Sequence, residues 1–503
     1  MSAQLRPLDS SSTPHPAALP RRTVAVAAGD GIGPEIMQAT LAVLHAADPG
    51  LSFQTLTVGL QAYRAGHAAG LGPEVFEAID QYGVMLKGPI TTPQGGGYKS
   101  VNVTLRKTLG LYANVRPCVS YAPFVRSLQP DMDVVIVREN EEDTYAGIEH
   151  RQTDEVVQCL KLITRPGCER IVRHAFEYAR ANGRGSVTCM SKDNIMKLTD
   201  GLFHQVFDEI AAEYPEIRSQ HQIIDIGTAR MASRPQDYEV VVTPNLYGDI
   251  LSDVAAEVSG SIGLAPSANL GRRHAMFEAV HGSAPDIAGR DIANPSGLLL
   301  AAVMMLVHLG RRGPAEAIHN AWLRTLEEGL HTADLWQEGK SRERLGTQAF
   351  PEVVISRLGQ LPCQLAPVRY PEPDPESTAA AAPAKPAPTV TKATSEKRFE
   401  GIDVFLHWDI PGRDPAALAA ALAQVDAQGF ELRLITNRGV RVWPSGHPDT
   451  WCSDHWRCRY RGASARAVPA LLGALIDAGL EPIKTEQLYS FDGQPGFSLA
   501  QGE

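Results

Sequence analysis

Glu239-Val240-Val241-Val242-Thr243 is a β-branched run that reads as a short buried strand, and it leads directly into Asn245-Leu246-Tyr247-Gly248-Asp249-Ile250-Leu251-Ser252-Asp253. The continuation through Val254-Ala255-Ala256-Glu257-Val258 reads as helix, so the chain must turn from strand to helix within a residue or two. Asp249 and Asp253 then lie on one helix face, one turn apart. Like charges so placed repel, and a cation between them is the natural compensation. Hard oxygen ligands with no Cys or His nearby point to Mg²⁺ or Mn²⁺ rather than Zn²⁺. Two exposed aspartates at a helix start, welcomed by the helix dipole, are the competing explanation, and the spacing alone leaves both open.

A chain of 503 residues is too long for one core, so two to four domains are expected. A net charge of −10 argues against nucleic acid or an anionic membrane as the main partner. No apolar run approaches the length of a spanning helix, and the first residues lack a signal-peptide core. Seven cysteines are scattered without a C-x-x-C pair, which disfavours a disulfide framework or zinc site and suits a reducing cytoplasm. The Ser-, Pro- and Thr-rich residues 1–21 read as a disordered tail.

Thr23-Val24-Ala25-Val26-Ala27-Ala28 is a second buried strand, followed by Gly29-Asp30-Gly31-Ile32-Gly33-Pro34-Glu35 opening a helix. The glycines fall at G-x-G-x-G and not G-x-G-x-x-G, so a Rossmann fold is not inferred. Val84-Met85-Leu86-Lys87-Gly88-Pro89 leads to Thr91, Thr92 and the Gly-rich residues after them, a loop able to lie close to a ligand. Arg106, Arg116 and Arg138 stand at the ends of separate elements and suit a substrate with several carboxylates, because each guanidinium fork binds carboxylate bidentately. Any one of them alone would serve as surface charge, although Arg138 ends an apolar strand. Tyr145 fits ordinary core packing, and Lys192, at the end of Ser186-Val187-Thr188-Cys189-Met190-Ser191, becomes an acid/base candidate only if its neighbours shift it. Asp225 reads as a strand-end acid. The loop Glu278 to Gly289, ahead of Asn294-Pro295 and an apolar helix over 296–309, suits phosphate binding or is a plain connection.

After about Arg369 the composition turns to Pro, Ala, Thr and Glu, an extended linker over roughly 366–397. Residues 398–503 alternate β, α, β, β, β, α, β, with helices near 416–427 and 467–478. A small two-layer, ferredoxin-like α+β domain is expected there. Cys452, His455 and Cys458 lack paired-ligand spacing and a fourth ligand, which favours packing over a metal.

Asn-Leu-Tyr-Gly-Asp-Ile-Leu-Ser-Asp at 245–253, Gly260 to Pro266 and the opening Gly29 to Glu35 together resemble the β-decarboxylating 2-hydroxyacid dehydrogenases. Residues 23–361 resemble their isocitrate dehydrogenase branch throughout, and the whole chain resembles the long, Thermus-type bacterial form with an appended domain. Ser100 and Asn102 stand where isopropylmalate enzymes carry apolar residues, and their hydroxyl and amide can satisfy a γ-carboxylate. The resemblance implies an isopropylmalate-dehydrogenase-like, non-Rossmann α/β core at 22–365, its large subdomain at 22–122 and 256–365 and its small one at 123–255. It implies oxidative decarboxylation of isocitrate to 2-oxoglutarate within the tricarboxylic acid cycle. It assigns Arg106, Arg116 and Arg138, with Thr92, Ser100, Asn102 and Asn194, to substrate. Tyr145 becomes the acid that protonates the enol and Lys192 the aid to proton removal from the C2 hydroxyl. Asp249 and Asp253 hold the metal, joined by Asp225 of a second copy, so a homodimer with shared sites is expected. His281, Gly282, Ser283, Ala284, Pro285, Asp286, Ile287 and Asn294 hold the dinucleotide.

NAD⁺ is expected over NADP⁺. Bacterial NADP-dependent relatives continue this loop with Lys-Tyr against the 2′-phosphate, where this chain has Asp286 and Ile287. A carboxylate accepts hydrogen bonds from ribose hydroxyls and repels a phosphate. Two further NADP-reading positions align with Ala333 and Gln337, and Arg272, Arg273 or Arg290 could instead reach a phosphate. The competing readings are an isopropylmalate- or tartrate-type dehydrogenase and a binding protein that kept the fold. Ser100 and Asn102 argue against the first, and the presence of Lys192, Tyr145 and both aspartates against the second.

Overall fold

The computed structural model describes residues 21–92, 100–371 and 395–499. The expected N-terminal tail up to Pro20, the loop residues after Thr92 and most of the linker lie outside the described residues. Among the described residues fourteen strands precede the linker; the first twelve are β1 (Arg22–Ala27), β2 (Leu51–Thr55), β3 (Val84–Lys87), β4 (Ala113–Val119), β5 (Asp133–Glu139), β6 (Glu149–Arg151), β7 (Val157–Cys159), β8 (Ser186–Ser191), β9 (Arg218–Ile223), β10 (Val240–Thr243), β11 (Pro266–Leu270) and β12 (Ala275–Ala279).

The chain forms two compact units. The first comprises residues 1–140, 228–241 and 248–372. Its strands run in the order β2-β1-β3-β12-β11-β4-β5. The left part is parallel, whereas β11 is antiparallel to both β12 and β4, and β4 to β5. This mixed order is not that of a doubly wound dinucleotide fold. Apolar runs with no alternation, such as Val24 to Ala27, are buried throughout and mark a sheet covered on both faces. The helix Gly33–Ala47 buries Ile36, Met37, Thr40, Val43 and Leu44, a stripe at helical spacing. Each such Ile or Leu contributes about 1.5–3 kcal/mol of transfer free energy.

The Gly29 to Gly33 loop is built for close backbone approach. Gly29 has φ +77° and Gly31 φ +58°, and a Cβ would stand 2.1 Å from Pro89 O and 1.9 Å from Ser283 O, respectively. Neither contact tolerates a side chain. The glycines therefore bring β1, the Thr91 loop and the Ser283 loop together, and Asp30 pins them by accepting the Leu60 and Thr91 N–H groups at 3.1 and 3.0 Å.

The second unit comprises residues 141–227, 242–247 and 373–503. β6 and β7 form an antiparallel hairpin, and β8 pairs parallel with β9. The helix Arg165–Ala181 is capped by Thr164, whose hydroxyl accepts the Gly167 N–H at 3.1 Å, and its Phe176 packs on Phe207 of the helix Thr199–Ala211 and on Tyr214 just beyond that helix. After the linker the strands run in the order Val440–Trp443, Phe430–Asn437, His455–Gly462, Lys397–His407, Glu481–Phe491. With the helices Pro415–Leu422 and Val468–Asp477, this is the ferredoxin-like arrangement, with the first and third principal strands at the centre. Ile402, Val404, Leu406, Leu418, Trp456, Cys458, Leu471 and Leu475 fill its core. This domain holds the β6–β7 hairpin: Arg413 clamps the Glu155 carboxylate at 2.7 and 2.8 Å, and Thr153 donates to Asp454 at 2.6 Å.

Three details depart from expectation. The units divide after Asn140 and not at residue 122, because β5 pairs with β4 along its whole length. Asp225 lies in the first turn of the helix Ile224–Ser233 and not at a strand end, β9 having stopped at Ile223. The first tail helix closes at Leu422, short of residue 427, where Asp426 takes the Gln428 N–H at 3.0 Å in a local turn.

Candidate functional site

In the first unit the geometry centres on residues 248–259 of the helix Asn245–Ser259 and on the antiparallel strands β4 and β5. Arg116 Nη1 lies 3.3 Å from Asp249 Oδ1 and 3.7 Å from Asp253 Oδ1, and donates to Ser252 Oγ at 2.6 Å. Arg138 Nη1 pairs with the same Asp249 oxygen. The two guanidiniums are 4% and 1% exposed, whereas the carboxylates keep 35% and 56% of their side-chain surface. Fixed buried cations therefore sit behind carboxylates that face outward. Desolvation raises the Asp253 pKa against the pull of Arg116, and the Asp249 charge raises it further. This is the expected state of neighbouring acids that share too little positive charge.

Behind these groups runs a buried polar chain. Arg116 Nε donates to Asn114 Oδ1 at 2.6 Å, Asn114 donates to Asn269 Oδ1 at 2.8 Å, and Asn269 donates to Glu278 Oε1 at 2.9 Å. Glu278 also meets Lys87 at 2.6 Å and Arg106 at 2.9 Å. Burial pushes the Glu278 carboxyl up, but Lys87 and Arg106 outweigh it and hold the group well below the usual carboxylate range. Arg106 shares the helix Val101–Thr108 with Asn102, one turn away. Its Nε is buried and has no hydrogen-bond partner among the described residues, a spare donor for an incoming carboxylate. Ser100 caps that helix, accepts the Val103 N–H at 3.5 Å and lies 3.5 Å from the Thr92 hydroxyl.

The loop after β12 is held by Ile32 N donating to Ser283 O at 2.9 Å and by the Thr91–Ser283 hydroxyl pair at 2.7 Å. His281 Nε2 is buried without a partner among the described residues, and burial lowers its pKa, which keeps the imidazole neutral. Asp286 is exposed and Ile287 half-buried. Asn294 donates to Asp334 Oδ2 at 3.0 Å. Asp334 lines a cleft of roughly 600 Å³ together with Arg126, Gln337 and Lys340. Gln337 itself is engaged with Phe124 O at 3.1 Å. Arg272 and Arg273 occupy the turn before β12, a strand of five residues and hence about 16 Å from the His281 end. Of the three arginines considered for a phosphate, only Arg290 adjoins the loop, directly after Gly289.

The second unit carries Tyr145, Lys192, Asn194 and Asp225. Tyr145 sits in the short 3₁₀ turn Thr144–Ala146, capped by Asp143. Lys192 follows β8, and its ammonium lies 3.0 Å from Asp225 Oδ2 of the same chain, which holds the Asp225 carboxyl below its ordinary pKa. Asn194 is exposed beside them. Ile195, Leu198 and Ile226, neighbours of these groups in sequence, are 69%, 50% and 48% exposed.

The sequence profile of the isocitrate/isopropylmalate dehydrogenases matches residues 23–354. The chain belongs to that family. The profile of the bacterial isocitrate dehydrogenase C-terminal domain matches residues 397–503. A Rickettsia bellii protein named isocitrate dehydrogenase [NADP] is 50% identical over 487 residues, covering 95% of this chain and 99% of its own. A Thermus thermophilus protein of the same name is 43% identical and covers 96% of both chains. Subunit 2 of the yeast mitochondrial NAD enzyme is 45% identical but covers 67% of this chain. A crystal structure of a Thermus thermophilus protein superposes with a TM-score of 0.86 at 42% identity over 96% of each chain. The Methylococcus capsulatus isocitrate dehydrogenase structure gives 0.65 over 67% of this chain.

For a member of this family, several structurally important residues escaped the sequence reading. Lys87 and Glu278 are charges inside apolar strands, and a buried charge demands a partner, so their pairing was open to inference. Asn114 and Asn269 left no such mark. Nor did the Asp193, His204 and His221 group, which among the described residues is the one trio of metal-ligating types within reach of a single ion. Its geometry is that of a hydrogen-bonded cluster. His204 Nδ1 and Asp193 Oδ2 are 2.7 Å apart, and the imidazoles stack at 3.6 Å and 17°, so their in-plane lone pairs run side by side and do not converge.

Proposed function

We propose that the protein oxidatively decarboxylates isocitrate to 2-oxoglutarate and CO₂, with reduction of NADP⁺ and a requirement for Mg²⁺ or Mn²⁺. The observation that carries the reading is the pair of buried guanidiniums, Arg116 and Arg138, set against Asp249 and Asp253. Their forks suit carboxylates of the substrate, and Arg106 offers a third through its unpartnered Nε. Ser100 and Asn102 supply the hydroxyl and amide that a γ-carboxylate needs and an isopropyl group does not. The half-exposed, oxygen-only donor set of Asp249 and Asp253 fits a hard divalent cation, with Asp225 supplied by a second copy of the chain. Bound there, the cation would polarise the C2 oxygen and offset the charge of the developing enolate. The His281 to Ile287 loop and Asn294 would hold a nicotinamide dinucleotide, which would supply the hydride acceptor. Lys192 assists removal of the C2 hydroxyl proton, with Asn194 beside it, and Tyr145 returns a proton to the enol carbon once CO₂ has left. The exposed apolar residues next to Lys192 and Asp225 support a homodimer. The division of the chain into tail, catalytic core, linker and C-terminal domain, near residues 22, 366 and 398, is part of the same proposal. So is a cytoplasmic location, which accords with seven cysteines that form no disulfide; among the described residues no helix is long and apolar enough to cross a membrane.

NADP⁺ is favoured by the names of relatives that match nearly the whole chain, and by Arg126 and Lys340 in the cleft that Asp334 joins to Asn294. NAD⁺ is the second reading, favoured by the exposed Asp286 and by Ile287. Initial rates of nicotinamide reduction with each dinucleotide, on isocitrate and on isopropylmalate, with Mg²⁺ present, test the proposal. The expected result is turnover of isocitrate with higher kcat/KM for NADP⁺. Turnover of isopropylmalate alone would overturn the substrate, and higher kcat/KM for NAD⁺ would overturn the cofactor.

A further inference from the structure

Lys161 follows the β6–β7 hairpin, and its ammonium lies between two carboxylates, 3.0 Å from Asp143 Oδ1 and 3.1 Å from Asp200 Oδ1. Both aspartates are fully buried, and the Tyr247 ring faces the ammonium at 4.6 Å. The carboxylates act on the main chain at the two groups to which proton transfer is assigned above. Asp143 caps the turn that carries Tyr145: its Oδ1 accepts the Thr144 N–H at 2.8 Å and its Oδ2 the Leu246 N–H at 2.9 Å. It does so with φ 66°, a left-handed conformation that a non-glycine residue holds only when its surroundings enforce it. Asp200 Oδ2 accepts the N–H of Lys192 itself at 2.7 Å.

We infer that Lys161 is the positioning residue of the reaction, one half-buried cation that fixes Tyr145 through Asp143 and Lys192 through Asp200. The inference rests on the roles proposed for Tyr145 and Lys192. Two buried carboxylates sharing one cation are over-supplied with negative charge. Without Lys161 they would repel or take up protons, and the backbone at both functional groups would lose its anchor. Lys161 acts on both groups through carboxylates that hold their main chain, so its removal should disturb orientation and leave binding through the arginines of the first unit in place.

The test compares Lys161→Met and Lys161→Arg with Tyr145→Phe and Lys192→Met in the full-length protein. Two partial reactions are read separately: isocitrate oxidation, and solvent-deuterium exchange at C3 of 2-oxoglutarate, which reports proton transfer at the enol carbon. Tyr145→Phe should lose mainly the exchange, and Lys192→Met the oxidation. Lys161→Met should slow both by roughly 10²-fold, as expected for a misplacement near 1 Å, with KM for isocitrate within about threefold of wild type. Lys161→Arg should restore part of each rate. A folded Lys161→Met protein with both rates near wild type would overturn the inference. If that variant does not fold, Asp200→Asn decides, since it removes a buried charge yet keeps an oxygen for the Lys192 N–H. It should slow oxidation more than exchange, and equal slowing of the two would overturn the inference. Wild-type rates in Tyr145→Phe and Lys192→Met would instead remove the roles on which it stands, a distinct failure.

Discussion

Replacing Glu278 with Gln tests whether the buried chain behind the arginines is an electrostatic unit. Glu278 is 4% exposed and bridges Lys87, which is fully buried, and Arg106, which is 7% exposed. Gln keeps the shape and an oxygen for Arg106 and Asn269 but removes the negative charge that, among the described residues, is in direct contact with both cations. Breaking a buried pair by removing one partner typically costs about 3–5 kcal/mol. The retained hydrogen bonds and the ease with which a buried lysine gives up its proton argue for the lower end, about 3 kcal/mol. Burial already lowers the Lys87 pKa against the pull of Glu278, so without the acid the neutral amine becomes accessible. The assay is urea unfolding at neutral pH. In the double variant Lys87→Met with Glu278→Gln, the losses should fall short of additivity by about 1–3 kcal/mol, because each single change breaks the same contact. A Glu278→Gln loss below about 0.5 kcal/mol, or strict additivity, would refute the claim, since surface substitutions already span that range.

The same pair predicts a pH signature. A carboxylate whose folded pKa is depressed contributes stability that is present above its unfolded pKa and is lost as pH falls through the folded value. The Glu278 carboxyl is depressed by Lys87 and Arg106. The contribution of the carboxylate to the stability gap between wild type and Glu278→Gln should therefore be fully present above about pH 4.3, the ordinary value of a glutamate, and be lost as pH falls below it.

Further outcomes follow from the other contacts. Asp253→Asn removes one of two outward carboxylates; Mn²⁺ affinity by titration calorimetry should fall at least tenfold, and full wild-type turnover in excess chelator would refute the metal assignment. Tyr145→Phe should still reduce added oxalosuccinate, whereas Lys192→Met should lose isocitrate oxidation; equal failure on every partial reaction would refute the division of labour. Arg126→Ala with Lys340→Ala should lower kcat/KM for NADP⁺ more than for NAD⁺, by about 1.5–3 kcal/mol in discrimination if the pair meets the 2′-phosphate, and an equal effect on both would refute that placement.

The elements were legible where periodicity was strong. Val24 to Ala27, Val240 to Thr243, the helix from Ser296 and the alternation after the linker are all found within a few residues of their expected places. Asp249 and Asp253 stood out because they share one long motif, and Arg116 and Arg138 lie against them from the adjoining strands β4 and β5. Asn114 and Asn269 were illegible because their partners lie 155 residues apart, and a lone asparagine in a strand looks like any polar residue. Lys161 was hidden for the same reason: nothing local ties it to Asp143 or to Asp200. Local pattern reports which face a residue takes, while a hydrogen-bonded chain across elements depends on tertiary register. The dinucleotide choice stayed open for another reason. Asp286 argues by the absence of two familiar side chains, and a phosphate can be met by cations elsewhere in the unit, such as Arg126 and Lys340.

Both units use one device. In the first, Arg106 and Arg116 are held from behind by Glu278, Asn269 and Asn114; in the second, Tyr145 and Lys192 are held from behind by Lys161 through Asp143 and Asp200. Buried ions add little net stability, because desolvation offsets most of their attraction, and apolar residues of similar volume would often stabilise the fold as well or better. Their presence behind each functional group is therefore better explained by direction than by stability. An apolar packing surface tolerates small rotations of the side chain it supports, whereas a bidentate or charge-assisted hydrogen bond weakens within a few tenths of an ångström and some tens of degrees. Decarboxylation with hydride and proton transfer needs its carboxylate forks and proton carriers aligned to about that tolerance. On this argument, apolar replacements of the buried chain should leave or raise the melting temperature while lowering kcat, the reverse of what removing a core leucine does.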